Sequence, residues 1–211
     1  MRTISEALLT NDVSYVCHLT PCEQLPSIFR HGGLLSLIER RRRGIAEPSA
    51  QHYWGDDAKR EQLADFVVCS FRPSWGMVRR HTHDLAIVVL DAALVCCTPK
   101  TCFLTTNSAR ASVTAQWVRQ QTGVYSLLGC LAGWPTDDAE ILVPSRVGVS
   151  SFRGLVFSYG ALSRWWPLVR DEIARSTSNG ALSPSFKTFE NRGLGMAFPL
   201  DFPPAEGIPL P

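Results

Sequence analysis

Four short apolar segments, spaced unevenly along the chain, limit the fold that this sequence can adopt. They are VSYVCH at 13–18, FVVCSF at 66–71, LAIVVL at 85–90 and EILVP at 140–144. Each has the length of a strand, is rich in β-branched or aromatic residues and lies close to a polar, Gly, Pro or Asp residue. We therefore predict that all four are β-strands, with further strand and turn at 147–157.

Helical patterns occur at irregular positions relative to these strands. Apolar residues recur at helical spacing at 22–31, 108–119 and 162–175. Regular alternation of strand and helix would indicate a doubly wound parallel sheet, and it is missing from this order. We predict an α+β fold in which helices flank a split sheet of mixed or antiparallel strands.

The length of 211 residues fits one domain. We expect this domain at 1–175 and a tail at 176–211 that is either packed on the domain or flexible, because its prolines disfavour a regular helix or a central strand. The longest apolar run, 85–97, is too short to span a bilayer and contains Asp91. With no apolar signal segment near Met1, we expect a soluble cytoplasmic protein without a membrane partner.

Seven cysteines occur, and no two of them form a Cys-x-x-Cys pair. The odd number and the apolar surroundings favour buried free thiols in a reducing compartment. Cys96, Cys97 and Cys102 do not have the spacing of common structural zinc sites, and we expect no bound metal.

Basic residues are clustered although the formal net charge is only +2. Arginines fill positions 40–43, and Arg79 and Arg80 precede His81. Each run suits either a solvated face or a phosphate-binding surface, and two runs in one chain favour the latter.

The segment SFRPSWGMVRR, 70–80, interleaves aromatic and basic residues. It suits stacking on bases, or alternatively a turn with a partly buried tryptophan.

Two strand ends carry polar residues that are candidates for chemistry. Glu140 begins the apolar strand at 140–144, where a lone carboxylate is either a solvated end residue or a functional group on a rigid strand. His18 and Thr20 project to the same side of an extended backbone. His18 is either a hydrogen-bonded core histidine or a ligand contact. Thr20 is also a candidate N-cap for a helix with Pro21 in its first turn, which ends at Gly32 and Gly33.

No phosphate-binding P-loop, dinucleotide-binding glycine motif or local hydrolase signature is present. The loop GCLAGWPTDD, 129–138, precedes Glu140 and is a candidate to receive a second substrate. In that loop, Trp134 is a candidate for stacking on a base or for anchoring the loop.

Three sequence blocks together resemble the DarT family of DNA ADP-ribosyltransferase toxins. They are YVCHLTPCEQLPSIFRHGGLLS, HYWGDDAKREQLADFVVCSFRPSWGM and AEILVPSRV, and the likeness runs in family order over about 13–157. The resemblance implies an ADP-ribosyltransferase fold that binds NAD+ in the cleft of a split sheet, with Glu140 as the catalytic carboxylate. The NAD+ contacts that it implies are His18, Leu19, Thr20, Ser27, Gly33, Leu35, Ser70 and Phe71.

The family also has an essential arginine between the first helix and the second strand, for which we predict Arg43. Its Pro-Arg-Ser-Pro motif appears here as Phe-Arg-Pro-Ser-Trp, a departure that affects the role of Arg72. Candidates for DNA contacts are Arg72, Trp75, Met77, Arg79, Arg80 and Trp134.

The resemblance implies transfer of ADP-ribose from NAD+ to a base of single-stranded DNA by the toxin of a toxin–antitoxin pair. HYWG and SFRPSWGM are nearer to the guanine-directed than to the thymine-directed branch. The partner that it implies is an antitoxin of the DarG macrodomain or NADAR type. Two alternatives remain: an ADP-ribosyltransferase that acts on RNA or protein, and a non-catalytic nucleic-acid-binding module with an NAD-type pocket.

Overall fold

The computed structural model describes residues 2–46, 61–72, 84–108, 112–132, 139–158, 160–183 and 186–190. The chain divides into two compact units. The first unit comprises Met1–Val16, Leu34–Phe71 and Asp91–Val147, and the second comprises Cys17–Gly33, Arg72–Leu90 and Gly148–Pro211.

The strands of the described part are β1 Tyr15–Pro21, β2 Gly33–Leu35, β3 Phe66–Ser70, β4 Leu85–Asp91, β5 Cys102–Leu104, β6 Glu140–Pro144, β7 Arg146–Gly148, β8 Phe152–Phe157 and β9 Lys187–Glu190. Its α-helices are α1 Ile4–Thr10, α2 Leu25–Arg30, α3 Leu37–Arg42, α4 Ala92–Cys96, α5 Ala115–Gln120, α6 Gly123–Ala132 and α7 Ala161–Ser178. Within these same residues, short 3-10 helices cover Cys22–Gln24 and Val149–Ser151.

The first unit is built on antiparallel strands in the order β5-β6-β3. The middle strand, β6, buries all three of its inner residues, Ile141, Leu142 and Val143. A strand that is covered on both faces has consecutive apolar residues, and this explains the apolar run at 140–144. Helices α5 and α6 pack on β5, and α1 packs on α4 and α6.

The second unit contains most of β1 and the strands β4, β8 and β9, in the order β1-β4-β8-β9. β4 and β8 are antiparallel, whereas β8 and β9 are parallel. Helix α2 packs on α7. Phe29 of α2 makes edge-on ring contacts with Phe152 at 5.8 Å and Phe186 at 6.0 Å between centroids. The predicted class of helices around a mixed, mostly antiparallel sheet is confirmed.

The predicted strands are confirmed to within a few residues, but the role of Thr20 as an N-cap is wrong. β1 continues through Thr20 to Pro21, and Pro21 is the cap of the following 3-10 helix. Thr20 is buried in the strand, and its hydroxyl donates to the Pro21 carbonyl at 3.5 Å. Burial within the strand therefore overrides the local capping preference of threonine.

The Gly-Leu-Leu-Ser segment forms a strand and a helix cap where the family likeness implied a turn. Gly33–Leu35 is β2, which pairs with β7. Ser36 then caps α3, since its Oγ accepts a hydrogen bond from the Glu39 N–H at 3.2 Å. Gly33 has a φ of +146° and Gly32 a φ of +76°, values that favour glycine.

Two further boundaries differ from the sequence prediction. The helix predicted at 108–119 begins only at Ala115, after Thr114 accepts the Trp117 N–H at 3.2 Å. The predicted loop 129–138 is helical over its first four residues, because α6 extends to Ala132. Residues 133–138 lie outside the described residues.

Part of the segment expected as a tail packs in the second unit. α7 continues to Ser178, and β9 pairs in parallel with β8. Residues 191–211 lie outside the described part of the chain, and the division into 1–175 and 176–211 remains a prediction.

All seven cysteines are free thiols, and six of them are buried, as predicted. Burial raises the pKa of Cys17 to about 12 and that of Cys130 to about 12. Cys97 is the exposed thiol. Among the helices that the structure describes, none is long and apolar enough to cross a membrane.

The aromatic contact of Phe29 with Phe152 should be a main source of stability in the second unit. Phe152 is 0% exposed, and its replacement by alanine should lower the free energy of unfolding by about 3–5 kcal/mol, because the cavity cannot fully collapse. The control is Leu168→Ala on α7, where the side chain is 57% exposed and the expected change stays within about 0.5 kcal/mol. Urea denaturation followed by circular dichroism measures both. Equal midpoints for the two variants would contradict this packing.

The buried thiols should make the protein less stable at high pH. The folded pKa of Cys17 lies above its ordinary value of 9.0, so the unfolded chain loses this proton first as the pH rises. The contribution of this thiol to stability should therefore be constant below about pH 9 and fall as the pH rises from there towards the folded pKa. Urea midpoints at pH 8, 9 and 10 test the sign.

Ellman's reagent offers an independent check on the same thiols. At pH 8 the native protein should show one fast thiol, Cys97, and the Cys97→Ser variant should show none. If several thiols of the native protein react rapidly with the reagent, the burial of the other six cysteines is disproved.

Candidate active site

Glu140 lies where three strands of the first unit end together. It is the first residue of β6 and is half-buried. In the antiparallel register it stands opposite Ser70, the last residue of β3, and opposite Leu104, the last residue of β5. Directly opposed residues have their Cβ atoms about 5 Å apart and project from the same face of the sheet. The structure therefore brings two predicted site residues, Ser70 and Glu140, together.

A backbone donor holds the carboxylate of Glu140. Its Oε2 accepts the N–H of Ser108 at 2.8 Å. Ser108 lies on the loop that follows β5 and is itself buried. A hydrogen bond from an N–H group favours the ionised form of a carboxylate and limits its rotation. Ser108 is not among the site residues predicted from the sequence.

The other predicted contacts of the first unit are Phe71 and Leu35. Phe71 directly follows β3 and is buried, so its ring belongs to the packed interior next to Ser70. Leu35, the last residue of β2, is half-buried. Neither has a charged group, so a role in binding would rest on shape and apolar contact.

The arginine run at 40–43 does not form a uniform basic surface. Arg40 is buried, and its guanidinium donates from Nε and Nη2 to the Ala46 carbonyl, the former at 3.2 Å. The other three face carboxylates: Arg41 contacts Glu61 at 2.8 Å, and Glu39 pairs with Arg43 at 2.7 Å and with Arg42 at 3.9 Å. Arg43, the predicted essential arginine, is the C-cap residue of α3, and its functional role stays a prediction.

The second unit carries the predicted NAD+ contacts of the N-terminal motif. His18 and Leu19 are half-buried on β1, Thr20 is buried, and Ser27 is half-buried on α2. Gly33, at the start of β2, is buried. These five residues belong to the second unit, as does Arg72, which is exposed.

An aspartate that the sequence analysis missed anchors this motif. The Asp84 carbonyl accepts the Cys22 N–H at 2.9 Å, just after β1 ends. The Asp84 carboxylate accepts bonds from Arg164, at 2.9 and 2.5 Å, and from the Trp165 indole N–H at 2.7 Å. The end of β1 is thereby tied to β4 and α7. The only sequence signal was an acidic residue directly before an apolar strand, which is too common to be specific.

Five predicted DNA contacts lie outside the described residues. These are Trp75, Met77, Arg79, Arg80 and Trp134, and their roles stay predictions. In the described ranges, no group of three or more His, Cys, Asp or Glu residues could hold a metal ion.

No protein-family model matches this sequence, and no curated protein does. Solved structures are similar in fold. DarT of Thermus sp. 2.9, in complex with ADP-ribosylated single-stranded DNA, is 13% identical with a TM-score of 0.52, over 83% of this chain and 93% of that one. DarTG of Thermosipho africanus, in complex with ADP-ribose, is 14% identical with a TM-score of 0.53, over 84% of this chain.

This chain spans 50% of the length of that DarTG chain. The similarity to both structures establishes a DarT-like fold of the ADP-ribosyltransferase type. The fold implied by the sequence resemblance is thus confirmed.

The pairings within the arginine run predict unequal effects of substitution. Arg40→Ala removes a buried guanidinium, 8% exposed, that donates to the Ala46 carbonyl, and it should lower the free energy of unfolding by about 1.5–3 kcal/mol. Arg42→Ala removes a side chain that is 73% exposed, and the change should stay within about 0.5 kcal/mol. Thermal unfolding of the two variants provides the comparison. If Arg42→Ala is the more damaging change, our assignment of Arg40 to the interior is wrong.

Proposed function

We propose that the chain is an NAD-dependent ADP-ribosyltransferase that modifies a base of single-stranded DNA. The observation that carries the proposal is Glu140, half-buried at the end of a central strand and held by the Ser108 N–H, within a DarT-like fold. A fold alone does not specify an activity, so the proposal depends on the position of this carboxylate. The Thermus DarT of similar fold was solved with ADP-ribosylated single-stranded DNA.

The reaction breaks the bond between the nicotinamide nitrogen and C1 of the adjoining ribose and forms a bond from C1 to a base nitrogen. NAD+ and DNA give ADP-ribosylated DNA, nicotinamide and a proton. Positive charge develops on the ribose ring as nicotinamide leaves, and a carboxylate bonded to the ribose 2-hydroxyl stabilises that charge. We assign this role to Glu140.

The same carboxylate serves as the general base. Once C1 is attacked, the base nitrogen must lose its proton to a group within hydrogen-bond reach. An ionised carboxylate is needed for both steps, and the Ser108 N–H favours that form. One fixed oxygen then limits how far the group can turn between the ribose and the incoming base.

The remaining residues take binding roles in this proposal. In this proposal His18, Leu19 and Thr20 contact the dinucleotide from β1, and Ser27, Gly33 and Leu35 are further contacts. Ser70, opposite Glu140, contacts the nicotinamide ribose, and Phe71 lies against the nicotinamide ring. Arg43 is the exception, since we assign it to catalysis together with Glu140. Its pairing with Glu39 at 2.7 Å would have to exchange for the ligand.

The acceptor in this proposal is a base of single-stranded DNA, because pairing in a duplex hides the reactive edge of a base. We favour guanine over thymine because the sequences of two segments, HYWG and SFRPSWGM, are nearer to the guanine-directed branch. DNA contacts are assigned to Arg72, Trp75, Met77, Arg79, Arg80 and Trp134. Modification of DNA bases is harmful to a cell, so we further propose a cytoplasmic toxin with an antitoxin of the DarG macrodomain or NADAR type.

Glu140→Gln provides the decisive substitution. It keeps the size of the side chain and an oxygen that can accept the Ser108 N–H, but it removes the charge. Transfer of ADP-ribose from NAD+ to single-stranded oligonucleotides should fall by at least about 10²-fold, measured by mass spectrometry of the oligonucleotide. The thermal midpoint should change little.

The matched control is Asp12→Asn, the same change of carboxylate to amide at an exposed position of the first unit. Asp12 has a φ of +53°, which asparagine tolerates well. Near-normal transfer by Glu140→Gln, with Asp12→Asn as the reference, would refute the catalytic role of Glu140.

A panel of acceptors separates the remaining possibilities for the same protein. Oligonucleotides that each contain a single guanine or thymine identify the base, and RNA and protein acceptors are run beside them. Transfer to RNA or protein alone would replace the DNA assignment. If NAD+ is not turned over with any of these acceptors, the protein is a binding module and the proposed activity is overturned.

A further inference from the structure

We infer that Ser108 is a positioning residue, whose backbone N–H orients the Glu140 carboxylate for transfer. The inference rests on the proposed function, because it concerns the same carboxylate. The residue acts through Glu140 and is not assigned a contact with NAD+ or DNA.

The first observation is the hydrogen bond itself. Ser108 N lies 2.8 Å from Glu140 Oε2, and Ser108 is 1% exposed. Water does not reach this residue, so it cannot easily replace the donor. A hydrogen bond from an N–H to a carboxylate is strong where solvent is excluded. The terminal torsion of a glutamate is otherwise broad, so this donor restricts the plane of the carboxylate.

The second observation is that the strand register places the start of the donor's loop beside Glu140. β5 pairs with β6 residue by residue, Cys102 with Leu142, Phe103 with Ile141 and Leu104 with Glu140. The loop that carries Ser108 therefore leaves the sheet at the level of Glu140. All three residues of β5 are buried, and the Phe103 N–H donates to the Gln121 carbonyl at 2.7 Å. The position of the Ser108 N–H thus depends on backbone pairing and not on a flexible side chain.

The third observation is a pair of unsatisfied hydroxyls on the same loop. Thr106 Oγ1 and Ser108 Oγ are buried and, in the part of the chain that the structure describes, have no hydrogen-bond partner. Native proteins rarely bury such groups, and each one needs an explanation. Two such groups on one loop are a local cost in stability. Aiming a backbone donor at Glu140 explains why the loop keeps this conformation.

The role can be tested by changing one backbone atom. Ser108→Ala is the reference, and the comparison replaces Ser108 with lactic acid, the hydroxy analogue of alanine, introduced through nonsense suppression. The two proteins differ only in an ester oxygen at the position of the N–H, so the loss of the hydroxyl is common to both. We expect kcat for transfer to be about 10- to 100-fold lower in the ester than in the alanine variant. The KM for NAD+ should agree within about twofold, since the donor acts on the carboxylate.

A measurement without turnover keeps the inference testable if the ester variant folds poorly. In the native protein labelled with ¹⁵N, the Ser108 amide proton should resonate downfield and should move upfield in Glu140→Gln, because a charged acceptor is replaced by a neutral one. Asp12→Asn should leave it in place. If the chemical shift of the Ser108 amide proton is the same in Glu140→Gln as in the native protein, the inference is overturned.

The outcomes distinguish this inference from the proposed function. If the natural protein transfers ADP-ribose and the ester and alanine variants have equal kcat, Ser108 has no positioning role while the proposed function stands. A change confined to the KM for NAD+ also overturns it, since that pattern indicates a binding role. If the natural protein transfers ADP-ribose to no acceptor, the function and the inference both fail.

Discussion

The pairing of β6 with β3 and β5 is the interaction on which the candidate site depends. The register aligns Ser70 and Leu104 with Glu140, so three strand ends meet at one carboxylate. Ile141, Leu142 and Val143 are all buried, and a shift by one residue would move each of them, and Glu140 with them, to the opposite face of the sheet. The same apolar strand therefore stabilises the first unit and determines where its reactive group lies.

The position of Glu140 at the strand end keeps its carboxylate partly solvated and also restricts its orientation. Glu140 is half-buried, which leaves a route for a substrate, while its Oε2 is bonded to the buried Ser108 N–H. A fully exposed carboxylate would keep its charge but lose its orientation, and a fully buried one would resist ionisation. Within the described ranges, the buried hydroxyls of Thr106 and Ser108 have no hydrogen-bond partner, and local costs of this kind are common at functional sites.

The sequence predicted those parts of the fold in which local preference and tertiary packing agree. The apolar runs at 66–71, 85–90 and 140–144 are strands in the structure because they are both strand-forming and buried. The prediction failed where the two disagree, as at Thr20, a good cap that the sheet keeps as strand. β5 has three residues, which is too short for a strand to be identified from alternating apolar and polar positions. The bond from Ser108 to Glu140 joins residues 32 positions apart, and no local pattern predicts it.

Charge patterning shows the same limit for the candidate site. Four consecutive arginines look equivalent in the sequence, yet Arg40 is buried and donates to a backbone carbonyl, while Arg41 and Arg43 face carboxylates. The run is thus partly neutralised by Glu39 and Glu61. Its capacity for phosphate cannot be read from the number of arginines, because three of them already face carboxylates. A phosphate would have to compete with the nearby carboxylates, so affinity depends on which pair exchanges most easily, and the geometry around α3 decides that.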